Sequence, residues 1–154
     1  MISSRMHGVV DYLYAGAAPV GARRVGAPPG VVRAMDAVAA GSAVYALTTD
    51  YELGLVPVLS MRQHLMVDAA LGVGLLTAAM RVDAPPRVRT LLAGMGAFAL
   101  VAAALTDRES GTERRTAVSR RNQARVASAR LAKAGAFLDH RNVPADTVGS
   151  LGGA

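Results

Sequence analysis

Two histidine–aspartate pairs carry the side chains of this sequence that are best suited to chemistry. His7 stands four positions before Asp11, and His64 stands four positions before Asp68. In a helix this spacing places both members of a pair on one face, one turn apart. Imidazole beside carboxylate is typical of three kinds of site: a structural hydrogen-bonded network, a titrating proton or cation site, or a site for a metal such as Zn or Mn. We expect the structural network and keep the other two as alternatives.

The two pairs are copies within a longer internal repeat. Shifting the chain by 57 positions places residues 3–52 on residues 60–109 without a gap, so that each His-Asp pair meets the other. An Ala-Pro-Pro motif at 27–29 meets the same motif at 84–86, and Thr-Asp-Tyr-Glu at 49–52 meets Thr-Asp-Arg-Glu at 106–109. Matches at both ends and in the middle predict a tandem duplication.

Each repeat unit contains two apolar stretches that its Ala-Pro-Pro motif joins. The charged share is 18%, below the roughly 25% that is usual for soluble domains, and this favours lipid. As a helix each stretch would cover roughly 24 Å, and flanking arginine stems would extend it toward the ~30 Å hydrocarbon core. The predicted helices are residues 8–22, 34–49, 65–80 and 91–106.

These features predict an all-α fold, a four-helix transmembrane bundle made of two tandem helix-hairpin repeats, with a basic amphipathic C-terminal helix after it. Repeat unit 1 would occupy residues 1–57 and repeat unit 2 residues 58–109. The rival is a soluble four-helix protein. It is disfavoured because residues 91–106 carry no charge and therefore no polar face.

The repeat also predicts where the polar residues gather. Since each unit would cross the membrane twice, both His-Asp pairs would lie on the same side, and the second and fourth helices would return to that side. We therefore expect one polar cluster at this end of the bundle, formed by His7, Asp11, Asp50, Glu52, His64, Asp68, Asp107 and Glu109, with Arg5 and Arg62. At the other end, Asp36 is expected to pair with Arg33 near the turn.

The last third of the chain is polar and basic. Residues 110–142 are predicted to form an amphipathic helix whose arginines contact anionic lipid headgroups, and residues 143–154, rich in Gly, Ser and Pro, a disordered tail. The headgroup contacts would be Arg114, Arg115, Arg120, Arg121 and Arg125. A net charge of +6 also suits nucleic acid, but only 4% of residues are aromatic and Trp is absent, so we expect no nucleic-acid partner. A soluble DNA-binding protein is kept as a third class.

Motifs of known enzyme classes are missing from the sequence. It has no Cys, no Gly-rich phosphate loop, no G-x-S-x-G and no H-E-x-x-H. We expect a non-enzymatic protein without a cofactor, whose partners are the lipid bilayer and either further copies of itself or another membrane protein.

Orientation follows from the span count and from the tail. Four spans would place both termini on one side, and the arginine-rich tail would meet anionic lipid if that side were the cytoplasm. The expected location is the bacterial inner membrane, with no signal peptide because His7 and Asp11 interrupt the first apolar stretch.

Three motifs resemble those of the small bacterial SPW-repeat membrane proteins. They are Ser-x-x-His-Gly-x-x-Asp-Tyr at 4–12, Thr-Asp-Tyr-Glu-Leu-Gly at 49–54 and Met-x-x-His-Leu-x-x-Asp at 61–68, and the resemblance covers residues 2–109. The Ser-Pro-Trp motif of that family is replaced by Gly-Ala-Arg at 21–23 and Ala-Ala-Met at 78–80. The resemblance implies a four-span bacterial membrane protein from a family that is not tied to a known activity.

Overall fold

The computed structural model describes residues 1–141, which form five α-helices and no strand. The predicted all-α class is therefore confirmed, whereas the predicted disordered tail at 143–154 lies outside the described residues. The chain divides into two compact units, Met1–Arg115 and a second unit that begins at Thr116. The helices are α1 Ser4–Arg24, α2 Pro29–Leu47, α3 Met61–Arg81, α4 Pro86–Leu105 and α5 Gly111–Arg141.

Helices α1 and α3 begin at serine caps. The Ser3 hydroxyl accepts the backbone N–H of Met6, and the Ser60 hydroxyl accepts that of Gln63, each at 3.3 Å. The Gln63 side chain in turn accepts the Ser60 N–H at 2.9 Å, which completes a capping box. Because of these caps both helices begin four residues before the apolar stretches from which they were predicted.

Helices α2 and α4 begin at proline. Pro29 and Pro86 each occupy the first helical position, where the missing N–H costs no hydrogen bond. The turn before α2 contains Gly26, whose φ of 61° lies in the left-handed region that glycine adopts without a Cβ clash. Since the second proline of each Pro-Pro pair starts a helix, α2 and α4 begin five residues before their predicted starts.

In the first unit the helices pack as two antiparallel hairpins, α1 with α2 and α3 with α4, and α1 also contacts α4. An apolar core near the Pro-Pro turns draws buried residues from all four helices, namely Ala18, Ala22, Met35, Leu75, Ala79, Val88 and Leu92. In the second hairpin the backbones approach closely at Gly72 and Gly96. A Cβ on Gly72 would stand only 2.8 Å from the Gly96 carbonyl oxygen.

Three of the described helices, α2, α3 and α4, are long and apolar enough to cross a membrane. Their best windows have mean hydropathies of 1.2, 1.3 and 1.8. Large apolar side chains also point outward from the hairpins, among them Leu13, Val44, Val73 and Phe98, which are 50–67% exposed. Such an outer surface is typical of helices that face lipid. The length and hydropathy of these three helices support the prediction of a membrane protein with transmembrane helices.

The second unit contains the continuation of α5 to Arg141, and the side chains of residues 116–135 are all exposed. Arg120, Arg121 and Arg125 lie in this segment, whereas Arg114 and Arg115 belong to the end of the first unit and are also exposed. The tail is thus helical over its described residues. Its contact with lipid headgroups stays a prediction.

Candidate functional site: a buried histidine and aspartate cluster

Four side chains meet near the beginnings of α1 and α3. His7 and Asp11 come from α1, and His64 and Asp68 come from α3. The serine caps place each histidine one turn into its helix and each aspartate one turn further. All four are buried, with exposed fractions of 1%, 7%, 0% and 5% in chain order. One nitrogen or oxygen atom can be chosen from each side chain so that the four chosen atoms all lie within 4.8 Å of one another.

The contacts between the two helices are reciprocal. His7 Nε2 lies 2.9 Å from Asp68 Oδ2, and His64 Nε2 lies 3.1 Å from Asp11 Oδ2. Within each helix the histidine is slightly farther from its own aspartate, at 3.3 Å for α1 and 3.5 Å for α3. Each imidazole therefore faces both carboxylates, and each carboxylate contacts both helices.

Two threonines hold the outer edges of the imidazole rings. Thr106, just after α4, places its Oγ1 2.8 Å from His7 Nδ1, and Thr49, just after α2, places its Oγ1 2.7 Å from His64 Nδ1. Both hydroxyls also donate to a main-chain carbonyl one turn back, at 2.6 Å in each case. A hydroxyl has a single proton, and here it is used on the carbonyl, so each threonine oxygen must accept a hydrogen bond.

This network assigns the tautomer of both histidines. With the threonine oxygens as acceptors, each ring carries its proton on Nδ1 and turns Nε2 toward the carboxylates. His7 Nε2 has hydrogen-bonding geometry to Asp68, and a second ring proton on this nitrogen would complete that bond. Among residues 1–141, by contrast, His64 Nε2 is buried and has no hydrogen-bond partner, because its close approach to Asp11 is poorly aligned for one. An unpartnered buried polar atom of this kind costs about 1–3 kcal/mol.

Each carboxylate also receives a tyrosine hydroxyl. Tyr45 of α2 donates to Asp68 Oδ1 at 2.5 Å, and Tyr51 from the segment after α2 donates to Asp11 Oδ2 at a longer 3.4 Å. Burial and, after it, the neighbouring charge of Asp11 raise the pKa of Tyr51 above its ordinary value of 10.0. The Tyr51 phenol therefore keeps its proton and remains a donor at neutral pH.

The remaining carboxylates of the predicted cluster lie in a second layer that contacts the starts of α1 and α5. Glu52 accepts the Ser4 hydroxyl at 2.7 Å, and Asp50 accepts that of Thr112 at 2.9 Å. The other two, Asp107 and Glu109, lie 3.6 and 3.8 Å from Arg114. Arg5 and Arg62 are exposed, and within residues 1–141 neither forms an ion pair.

The predicted cluster left out the threonines and tyrosines that complete the site. The threonines had a signal, because Thr49 and Thr106 occupy equivalent positions in the two repeats. The tyrosines had none, since Tyr45 and Tyr51 stand opposite Ala102 and Arg108.

A small cavity borders the cluster on the side of Tyr45. It measures about 10 Å³, and its lining includes both aspartates, Tyr14 and Tyr45. A space of this size holds about one water molecule or a bare ion. The site therefore combines two oriented imidazoles and two carboxylates, with a very small cavity beside the carboxylates.

No protein-family model, no curated protein and no solved structure matches this chain, so its function is argued from the geometry alone.

Proposed function

We propose that this chain is a non-enzymatic, four-span protein of the bacterial inner membrane in which the His-Asp cluster joins two tandem helix hairpins. The observation that carries the proposal is the reciprocal pairing of His7 with Asp68 and of His64 with Asp11. Each contact links the first hairpin to the second. The threonine contacts do the same, because each histidine meets the threonine of the other hairpin.

The fourth span would be α1, whose 21 residues cover roughly 30 Å as a helix. Away from its arginine-bearing ends, its only Asp, Glu, Lys, Arg or His side chains are His7 and Asp11, and both are buried in the cluster. Its outward side chains include Val9, Leu13 and Val20, all apolar and more than 40% exposed. Because the polar residues are satisfied inside the protein, α1 can face lipid despite its lower mean hydropathy.

Backbone contacts support the tandem repeat. The segment before each hairpin bonds to the end of the other hairpin: Ile2 N–H donates to the Leu105 carbonyl at 2.8 Å, and Leu59 N–H donates to the Thr48 carbonyl at 2.9 Å. These four residues are related in pairs by the same shift of 57 positions as the sequence repeat. Two copies related by an axis along the membrane normal would make contacts of this kind.

Cysteine labelling tests the span count, since the chain contains no Cys of its own. We would introduce Arg5→Cys before the first span, Gly30→Cys in the first turn and Leu55→Cys between the hairpins, one at a time. In intact cells, a membrane-impermeant maleimide should label only Gly30→Cys if both termini are cytoplasmic. Labelling of Arg5→Cys and Gly30→Cys from the same side would mean that α1 does not cross.

The arginines of α5 are proposed to contact anionic lipid on the cytoplasmic side. The test compares the native chain with a variant in which Arg120, Arg121 and Arg125 are changed to Gln. It measures the binding of each to vesicles with and without phosphatidylglycerol. We expect a preference of the native tail for the anionic vesicles that the variant loses, because each arginine near such a surface contributes about 1 kcal/mol. Equal binding to both kinds of vesicle would contradict it.

A second candidate function, proton or cation handling by the same cluster, is favoured by the cavity beside Asp11 and Asp68. Proteoliposomes loaded with a pH-sensitive dye would report proton flux under an imposed potential. Flux that Asp68→Asn abolishes would support this candidate, whereas flux equal to that of empty liposomes would leave the structural role as the function.

A further inference from the structure

We infer that the cluster of His7, Asp11, His64 and Asp68 is a binding site for one divalent transition-metal ion. The inference goes beyond the proposed function, because hydrogen bonds alone could join the hairpins. The first support is spacing. In a tetrahedral site with bonds of about 2.0–2.2 Å, neighbouring ligand atoms stand about 3.3–3.6 Å apart. The nitrogen-to-oxygen contacts of the cluster, which use both oxygens of Asp11, measure 2.9, 3.1, 3.3 and 3.5 Å. One ligand atom from each residue can be chosen so that all four lie within 4.8 Å of one another, a spacing that an ion would draw in.

The second support is the direction of the imidazole rings. Because Thr49 and Thr106 accept the Nδ1 protons, both Nε2 lone pairs point at the space between the carboxylates. Histidines that bind metals nearly always donate their other ring N–H to a fixed acceptor, which sets the ring for coordination. The two threonines supply that acceptor on both sides of the site.

The third support is the unpartnered Nε2 of His64, which is fully buried and aimed into the cluster. An added proton on His7 Nε2 would satisfy its contact with Asp68. The same solution fails for His64, because an N–H there would have no aligned acceptor among the described residues. A metal ion between the two nitrogens and the two carboxylates would give His64 a partner.

Charge favours the same conclusion. Imidazoles that bind a metal ion are neutral, so the two buried carboxylates beside them would leave two negative charges out of water, which is costly unless a cation is near. Arg5 and Arg62, the two arginines of the predicted cluster, are exposed and form no ion pair within residues 1–141. A divalent ion would balance the two charges, and the phenol of Tyr45 would hold the oxygen of Asp68 that faces away from the histidines.

The ligand set narrows the choice of ion. Two imidazole nitrogens with two carboxylate oxygens suit Zn²⁺ or Mn²⁺, whereas Ca²⁺ and Mg²⁺ prefer oxygen ligands only. Cu⁺ prefers sulfur, and no methionine or cysteine is among the four ligands. A set of four protein ligands matches the tetrahedral coordination that Zn²⁺ prefers, which favours Zn²⁺ over Mn²⁺.

The experiment uses the full chain without a histidine tag, purified in detergent, stripped with a chelator and dialysed against Zn²⁺ or Mn²⁺ in turn. Bound metal is measured by mass spectrometry, and Co²⁺ serves as a spectroscopic probe of coordination. We expect about one Zn²⁺ per chain and the intense visible bands of tetrahedral Co²⁺. His64→Ala and Asp11→Asn should lose the ion, while His140→Ala, which removes the third histidine of the sequence, should retain it.

His64→Ala and Asp11→Asn could lose the ion because they misfold, so a milder variant serves as a second test. Thr49→Val keeps every ligand and removes the acceptor of the His64 Nδ1 proton, together with the hydroxyl's hydrogen bond to the Tyr45 carbonyl. We therefore expect Zn²⁺ affinity to fall about 10–100-fold while binding persists. If the stripped native chain keeps its helical circular dichroism and takes up neither ion stoichiometrically, the metal site is refuted. Loss of the ion from His140→Ala together with its retention by His64→Ala would refute the site equally.

Failure of this inference is distinguishable from failure of the proposed function. A chain that binds no metal but is destabilised by Asp11→Asn still has a structural cluster. If the native chain binds Zn²⁺ at the four residues but variants of these residues melt at the same temperature as the native chain, the cluster is a metal site that does not join the hairpins.

Discussion

Thr106→Val tests the role of the threonines in the cluster. The substitution is nearly isosteric, yet it removes the only described acceptor of the His7 Nδ1 proton, and His7 is 1% exposed. The buried N–H would be left without a partner at a cost of about 1–3 kcal/mol. For a chain of this size, a loss of 2 kcal/mol lowers the melting temperature by about 4–8 °C.

Thr77→Val is the matched control. The Thr77 hydroxyl donates to the carbonyl of Val73 one turn back at 2.8 Å, as Thr106 does to Ala102, but it touches no histidine. Both variants would be melted in the same detergent and followed by circular dichroism. We expect Thr106→Val to be destabilised well beyond Thr77→Val, and Thr49→Val to resemble Thr106→Val. If Thr106→Val and Thr77→Val melt at nearly the same temperature, the assignment of the His7 tautomer is wrong.

Three further predictions concern the rest of the first unit. Gly72→Ala would push a methyl group against the Gly96 carbonyl and destabilise the protein by about 1–3 kcal/mol. Gly74→Ala, whose added methyl group would have nothing within 4 Å, should be neutral or stabilising by up to about 1 kcal/mol. Chemical unfolding of both variants measures the difference. The raised pKa of Tyr51 favours its protonated form in the folded state, so the stability of the protein should fall as pH rises above about 10. Tyr51→Phe should weaken this dependence of stability on pH, as measured by melting curves between about pH 9 and 11. Asp36→Ala removes an exposed ion pair at 2.7 Å and should leave the melting temperature unchanged at physiological salt; a drop of several degrees would contradict this.

The core of the site was predictable because two independent patterns agree on it. The four-residue spacing puts each histidine and aspartate on one helical face, and the predicted repeat would bring the two faces to the same end of the predicted bundle. The structure brings these four residues together and leaves the other six of the predicted set outside the core cluster. The predicted membrane topology indicates which residues lie at the same end of the helices, but not how deeply each is buried. Asp50 and Asp107 lie in the segments after α2 and α4 and therefore outside the core cluster.

Helix boundaries and surface pairs were less predictable. Apolar stretches alone missed the serine caps and the helix-starting prolines, which add four or five residues at each start. The expected pair of Asp36 with Arg33 was wrong. Asp36 instead binds both guanidinium nitrogens of Arg23, at 2.7 and 2.9 Å, across the α1–α2 hairpin. The packing of the two helices brings Arg23 to Asp36, and sequence spacing does not contain that information.

A double-mutant cycle between His7 and Asp68 tests most directly whether the cluster joins the two hairpins. His7→Ala, Asp68→Ala and the double variant would be unfolded chemically in one detergent, with the exposed pair Arg5→Ala and Arg62→Ala as a reference cycle. The residues lie 61 positions apart and 2.9 Å apart in space, so we expect a coupling free energy of about 0.5–3 kcal/mol. Additive effects, with a coupling no larger than that of the reference cycle, would contradict a joining role for the cluster.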